Sequence, residues 1–188
     1  MHTALDQPSA WVARFAPIIP SGEVLDLACG GGRHARLLAE LGHPVLAVDR
    51  DAGALARTAG PAITTQQIDL ESGHATWPFE PGRFAGIVVT NYLHRPLFPG
   101  IFRSLAAGGV LIYETFAAGN EYFGKPSNPL FLLKRGELLD VVAKESRPSL
   151  HVVAYEDGHV LAPKPAIVQR ICVLNTASHS PADSLPRI

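Results

Sequence analysis

Along the chain, apolar runs of strand length alternate with stretches whose apolar residues recur at helical spacing. Val24–Leu27, Val45–Val48, Ile63–Ile68, Ile87–Thr90 and Val110–Tyr113 read as strands, several of them with little polar interruption. Near-continuous apolar strands are buried on both faces, which is the habit of parallel sheets. Between them, Arg33–Leu41 carries its apolar residues on one face and stops at Gly42, and "DAGALARTAG" and "LFPGIFRSLAAGG" close on glycine in the same way. The alternation predicts repeated βα units on a largely parallel sheet.

Before the first strand, "PSAWVARF" offers a Ser cap and an apolar face, which predicts a helix over about residues 8–16. After the fifth strand the rhythm breaks. Residues 116–136, "FAAGNEYFGKPSNPLFLLKRG", are rich in Gly, Pro and Asn yet hold Phe116, Tyr122, Phe123 and Phe131. A loop of that length in a compact domain points to function, and its aromatics argue against disorder. "GELLDVVAKE" resumes as a helix. "HVVAYEDGHV" and "AIVQRICVLN" read as two β-rich runs, with Asp157-Gly158 favouring a turn beyond the first. The pattern assigns residues 1–175 to one domain and 176–188 to a flexible tail.

Composition narrows the partners. A chain of 188 residues supports one well-buried core. Its 16 Lys and Arg against 17 Asp and Glu leave no basic field to draw it onto nucleic acid or anionic lipid. Cys29 and Cys172 are too few for a disulfide framework, and the eight histidines form no zinc-like pairing, so no metal is expected. With no signal-like N-terminus and no apolar run of membrane-spanning length, the expectation is a cytoplasmic protein without a membrane association.

The chemistry concentrates in "VLDLACGGGRHARLL", Val24 to Leu38, where Gly30, Gly31 and Gly32 sit between the first strand and its helix. Glycines there let the backbone approach a ligand and direct N–H groups at it. Asp49, ending the second strand 19 residues beyond Gly30, can accept both hydrogen bonds of a ribose diol. These features alone leave two cofactors open, because Gly30-x-Gly32-x-x-Ala35 also fits the dinucleotide fingerprint of NAD-linked oxidoreductases. Asp26 adds a charge that a pyrophosphate would not welcome and that a ligand with an ammonium and a sulfonium group would tolerate. Asp69 and Leu70 after the third strand suit an adenine amino group with an apolar wall beside the ring. In isolation, Asp26 and Asp69 read equally as turn or cap residues.

With "VLDLACGGG", "AVDRD", "QQIDLE", "IVVTNYLHR" and "GGVLIYETF" in this order, the chain resembles the class I S-adenosylmethionine-dependent methyltransferases over roughly Trp11 to Asn175. Within them it is similar to simple bacterial members, the tellurite-resistance methyltransferase-like proteins among them. The resemblance implies an α/β, Rossmann-like fold, a seven-stranded mostly parallel sheet with helices on both faces and the last strand antiparallel. It implies S-adenosylmethionine as cofactor and S-adenosylhomocysteine as product. Asp26, Ala28, Gly30 and Gly32 would contact the methionine moiety, Asp49 the ribose hydroxyls, Asp69 the adenine amino group with Leu70 over the ring, and Asn91 the methionine end. Two departures stand out: Ala28 replaces the usual first glycine, and Gly86 stands where an acid often opens the fourth strand.

Methyl transfer from a sulfonium is an in-line displacement, so the protein mainly aligns the reactants and excludes water. Candidate catalytic groups at the strand ends are Tyr92, His94 and Glu114, with Arg95 as a holder for an anionic acceptor. His94 reads equally as a capping residue, and Glu114 as a hydrogen-bonded organiser of the next loop. Residues 116–136 are the expected lid, recognising a small-molecule acceptor with help from Asn120, Lys125 and Asn128. Trp11 and Arg14 are placed to close over the cofactor from the other side, or Trp11 only packs on the core. RNA is the second acceptor class, although no basic stripe with interleaved aromatics appears. A non-catalytic S-adenosylmethionine-binding module is the rival outside enzymes.

Overall fold

The computed structural model describes residues 7–72, 77–145 and 149–176. Its elements run α1 (Ala10–Phe15), β1 (Val24–Leu27), α2 (Arg33–Glu40), β2 (Val45–Asp49), α3 (Ala52–Thr58), β3 (Ile63–Gln67), β4 (Phe84–Thr90), α4 (Phe98–Ser104), β5 (Leu105–Phe116), α5 (Glu137–Lys144), β6 (Leu150–Val160) and β7 (Ala166–Asn175). Seven strands form one sheet in the order β3-β2-β1-β4-β5-β7-β6. Neighbours from β3 to β5 pair in parallel, and β7 runs antiparallel between β5 and β6. The order reverses between β1 and β4, the switch point where such sheets open a crevice beyond their carboxyl ends.

Side-chain alternation sorts the core into two layers. Leu25, Leu27, Leu46, Val48, Ile87, Val89, Leu111 and Tyr113 face one side and bury against Phe98, Ile101 and Phe102 of α4 and Leu138 of α5. Val24, Val45, Ala47, Val88, Val110 and Ile112 face the other, under Trp11, Val12 and Phe15 of α1, Ala35 and Leu38 of α2 and Leu55 of α3. Fully burying one such Leu, Ile or Phe contributes about 1.5–3 kcal/mol, so helices on both faces hold the strands in place. The expected architecture of a Rossmann-like mostly parallel sheet with its last strand antiparallel is the one observed.

Local expectations fared unevenly. Ser9 caps α1 by accepting from the Trp11 N–H at 3.1 Å, and a 3-10 turn over Ala16–Ile18 follows. Gly86 makes room for Ile19, since a Cβ there would lie 2.8 Å from its Cγ2; packing of the chain after α1 replaces the missing acid. The helix expected through "SLAAGG" ends at Ser104, and Leu105 already begins β5, paired with Phe84. Asp157-Gly158 is not a turn: both residues lie inside β6, opposite Gln169 and Val168. Antiparallel pairing with β7 outweighs the local turn preference. Of the expected tail, Thr176 alone is described, and its N–H and hydroxyl both donate to the Ser149 carbonyl at 2.7 and 2.9 Å; residues 177–188 lie outside the described residues.

Residues 116–136 are organised rather than loose. Short 3-10 turns occupy Asn120–Tyr122 and Pro129–Phe131, and Ala117 bridges Leu133. Asn120 is buried, donating to the Pro126 carbonyl at 3.0 Å and accepting from the Ile167 N–H at 3.3 Å. Asn128 caps the second turn through the Leu130 N–H. Both amides expected to recognise an acceptor are engaged in holding the loop, Asn120 partly through β7. Tyr122 and Leu130 are mostly exposed, whereas Leu132 and Leu133 are buried and fix its return.

Candidate active site

After Leu27 the chain turns sharply through left-handed backbone at Ala28 (φ 55°), Gly30 (53°) and Gly32 (75°). Ala28 holds this conformation at a cost of order 1 kcal/mol, strain stored where the family's glycine would hold none. Gly32 admits no side chain, because a Cβ would meet Thr58 Cγ2 at 2.5 Å, and so α2 starts in contact with α3. The Thr58 hydroxyl, 3.0 Å from the Gly30 carbonyl, fastens the loop to α3. Gly31 is different: nothing lies within 4 Å of where its Cβ would be.

The loop forms one wall of a cavity of about 490 Å³ at the carboxyl ends of β1, β2 and β4. Ala28, Gly30, Asp49, Asp69, Leu70, Asn91 and Tyr92 all line it, which brings together residues far apart in sequence. Asp49 Oδ2 accepts from the Gly30 N–H at 2.8 Å and Oδ1 from the Asp51 N–H at 2.9 Å, so its carboxylate is held at the rim with lone pairs left over. Asp69 Oδ1 accepts from the Glu71 N–H at 3.0 Å, a turn role that leaves its second oxygen free of that bond. Asn91, at φ 54°, donates its N–H to the Glu114 carbonyl at 2.9 Å.

Asp26 lies behind the glycine loop rather than on the cavity wall. It is 1% exposed, and neither carboxyl oxygen has a hydrogen-bond partner of acceptable geometry. Burial pushes its pKa up to about 7, against the lowering pull of the Ala35 N–H and of Arg33 and Arg36; Asp49 adds to the rise. A buried, unpartnered acid beside a ligand cavity is costly unless something completes it.

The strand-end candidates fare differently. Tyr92 lines the cavity, and burial together with the negative charge of Glu71 raises its pKa. His94 lines neither this cavity nor the next; its carbonyl accepts from the Leu97 N–H at the start of a 3-10 turn. Glu114 is 8% exposed and also lines neither: its Oε2 lies 2.8 Å from Arg170 Nε and accepts from the Ser9 hydroxyl at 2.9 Å. Arg95 is not available to an anionic acceptor. Its Nε and Nη2 donate to Glu137 at 2.6 and 2.9 Å, and Nη1 and Nη2 to the Leu130 and Leu132 carbonyls at 2.8 and 2.9 Å, which ties α5 and the 129–133 turn to the end of β4.

Trp11 is core, with its indole N–H donating to the Ile171 carbonyl at 3.4 Å, and Arg14 sits over the Phe15 ring. The thiols of Cys29 and Cys172 are buried and pushed up to about 12, which keeps both protonated and unreactive.

Two residues absent from the sequence-derived set matter here. His34 is buried within α2, its Nε2 accepting from the Ser9 N–H at 3.1 Å and its Nδ1 3.3 Å from Thr90 Oγ1. Burial, reinforced by Arg33, pushes its pKa down to about 3, so it is neutral and links the α1 cap to a cavity-lining residue. The "RH" after the glycines carried that signal, which a helix pattern does not single out. Glu71 is the other. With Asn91 and Tyr92 it also lines a second cavity of about 210 Å³, bounded by Leu93, Thr115, Phe116, Pro126 and Phe131.

A glycine turn, an acid ending the next strand and a second acid after the third, around a crevice at the switch point, are the arrangement of a nucleoside-binding α/β protein. Residues 24–109 match the family described as a methyltransferase domain, which supports the resemblance of the chain to the class I S-adenosylmethionine-dependent methyltransferases. It is 38% identical over 107 residues to a protein-L-isoaspartate O-methyltransferase of Chlorobaculum tepidum, covering 55% of this chain and 49% of that one. It is 34% identical over 118 residues to a trans-aconitate 2-methyltransferase of Paracidovorax citrulli, covering 57% and 44%. The chain thus spans about half the length of these curated relatives. Its fold matches the crystal structure of TehB from Haemophilus influenzae at a TM-score of 0.67 and 18% identity, covering 90% of this chain and 63% of that one.

The residues present fit the cofactor this family implies. Open space at the Gly31 Cβ leaves the cradle unfilled, and the unpartnered Asp26 supplies a negative field behind the end where a methionine ammonium would lie.

Proposed function

We propose that this protein transfers the methyl group of S-adenosylmethionine to a small-molecule acceptor. The observation that carries the reading is that the larger cavity and the smaller one share Glu71, Asn91 and Tyr92, so a donor in the first and an acceptor in the second meet at one junction. In this reading Asp49 accepts from the ribose hydroxyls through its spare lone pairs. Asp69 accepts from the adenine amino group, and Leu70 covers the ring. The Ala28–Gly32 loop and Asn91 hold the methionine end, with Asp26 favouring its ammonium from behind. S-adenosylmethionine supplies an electrophilic methyl; the chain aligns the acceptor in line with it and keeps water out.

Glu114 is a positioning residue here. Its carbonyl fixes Asn91, and its side chain joins the α1 cap to β7 through Ser9 and Arg170. His94 and Arg95 have no part in the transfer. The 116–136 segment acts as the wall of the acceptor cavity through Phe116, Pro126 and Phe131. A cavity of about 210 Å³ without a basic stripe favours a small acceptor over RNA, and a dedicated acceptor cavity favours an enzyme over a binding module. The names of the curated relatives specify an isoaspartate of a protein and trans-aconitate, so a protruding protein side chain is the second reading.

Calorimetry with S-adenosylhomocysteine and with NADH tests the proposal. Binding of the former is expected, with most affinity lost in Asp49→Ala; tight binding of NADH alone would overturn it. A screen of thiols, oxyanions, small acids, amines and RNA for uptake of labelled methyl then identifies the acceptor.

A further inference from the structure

The acceptor cavity has a distinct chemistry. Among the described residues that line it, Glu71 is the one charged side chain, and Tyr92, Phe116 and Phe131 supply three aromatic rings, with Leu93 and Pro126 completing an apolar wall. Three rings and a carboxylate suit a cation: the face of each ring carries negative charge density, and the acid neutralises the guest at short range. An anion finds no basic side chain in this lining; Arg50, whose charge reaches Tyr92, lines the larger cavity instead. Arg95, the cation nearest in sequence to the junction, has its guanidinium bound to Glu137 and to two loop carbonyls.

We propose that the acceptor is a small organic amine bound as its ammonium ion, with Glu71 as its counter-ion and proton acceptor and with Tyr92, Phe116 and Phe131 as its aromatic cage. The inference rests on the methyltransferase reading above and names the substrate class of the same site.

The ammonium gives one proton to the Glu71 carboxylate, which lines both cavities with Tyr92 at their junction. The freed nitrogen lone pair attacks the sulfonium methyl in line. The C–N bond forms as the C–S bond breaks, its electron pair stays on sulfur, and the products are a methylammonium ion, a neutral thioether and a protonated Glu71 that returns its proton to water. No oxidant, reductant or metal enters the balance.

The test uses the whole protein saturated with S-adenosylhomocysteine and two probes of matched shape, phenethylamine and 3-phenylpropionate, titrated by calorimetry. Binding of the homocysteine compound is measured first: its failure sinks the methyltransferase reading itself, and its success with the wrong probe preference sinks only the present inference. The amine is expected to bind at least tenfold more tightly than the carboxylate. Phe131→Leu, which keeps an apolar wall at a half-exposed position and removes a ring face, is expected to weaken the amine at least threefold while leaving S-adenosylhomocysteine affinity unchanged. Glu71→Gln is expected to weaken the amine at least tenfold, read against its own S-adenosylhomocysteine affinity because Glu71 lines both cavities. An amine that binds no better than the carboxylate, including the case in which neither binds, overturns the proposal, as does amine binding indifferent to both substitutions.

Discussion

Replacing Asp26 by asparagine removes a charge and little else, because carboxyl and carboxamide are nearly isosteric. In the folded protein this group protonates at about 7 instead of 3.8, and burial is the largest cause. Between those values the folded state holds a proton that the unfolded state releases, so stability falls as pH rises through the window. A rise of about three pH units corresponds to about 4 kcal/mol, fully felt above pH 7 and absent below pH 4. An asparagine at this position carries the same unsatisfied-polar cost as a neutral carboxyl and escapes the charge penalty.

Asp26→Asn should therefore melt at nearly the wild-type temperature at pH 4 and roughly 8–16 °C higher at pH 8, taking 2–4 °C per kcal/mol for a chain of this size. His34, pushed down to about 3, tilts stability the other way, since the unfolded imidazole takes up a proton below its ordinary value and the folded one does not. It is common to both proteins and cancels in the difference. The assay is thermal unfolding by circular dichroism at both pH values, with and without S-adenosylhomocysteine. The stabilised variant should bind that ligand more weakly at pH 8, because the field offered to the ammonium has gone. A melting difference that does not change with pH, or a variant less stable than wild type at pH 8, refutes the argument.

Other substitutions separate binding from folding. Gly31→Ala places a methyl in open space at ordinary backbone angles, so its melting temperature should stay within a degree or two while S-adenosylhomocysteine affinity drops at least tenfold. Gly32→Ala drives a Cβ into Thr58 at left-handed backbone, and urea unfolding should show a loss of about 2–4 kcal/mol. Arg95→Ala releases the 129–133 turn from β4 and α5; amide exchange at Leu130–Leu133 should quicken, while exchange in β1 and β2 stays as it was.

The wall of the larger cavity was legible where its residues sit at or just beyond a strand's end, as Ala28, Asp49 and Asn91 do, because strand ends show as the edge of an apolar run; Asp26, inside β1, lies behind that wall. Asp49, Asp69 and the glycines needed no knowledge of distant neighbours. The acceptor side depends on side chains meeting across long stretches of chain. Glu114 finds Arg170, and Arg95 finds Glu137; the sequence offered Glu114 as a catalytic group or a hydrogen-bonded organiser and Arg95 as an anion holder, without naming either partner. Asp157-Gly158 misled for the same reason, since pairing with Gln169 and Val168 decides its conformation. Leu105 was counted with the helix before it because "SLAA" is helical by composition, and only its place opposite Phe84 makes it strand. Phe131 announced itself as an aromatic in a loop, but its place with Glu71 in the lining of one cavity could not be read from spacing.

The position of β7 has a consequence for how the protein is made. The strand is synthesised after all six others, yet it lies inside the sheet, with β5 on one side and β6 on the other. Until residues 166–175 leave the ribosome, Val110–Phe116 presents an open apolar edge to the cell, and β6 has nothing to pair with. Glu114 meanwhile waits for Arg170, so both the sheet and the bracing of Asn91 close with the same late strand. Nascent chains stalled before residue 166 should be clients for edge-capping chaperones and prone to aggregate through that exposed edge.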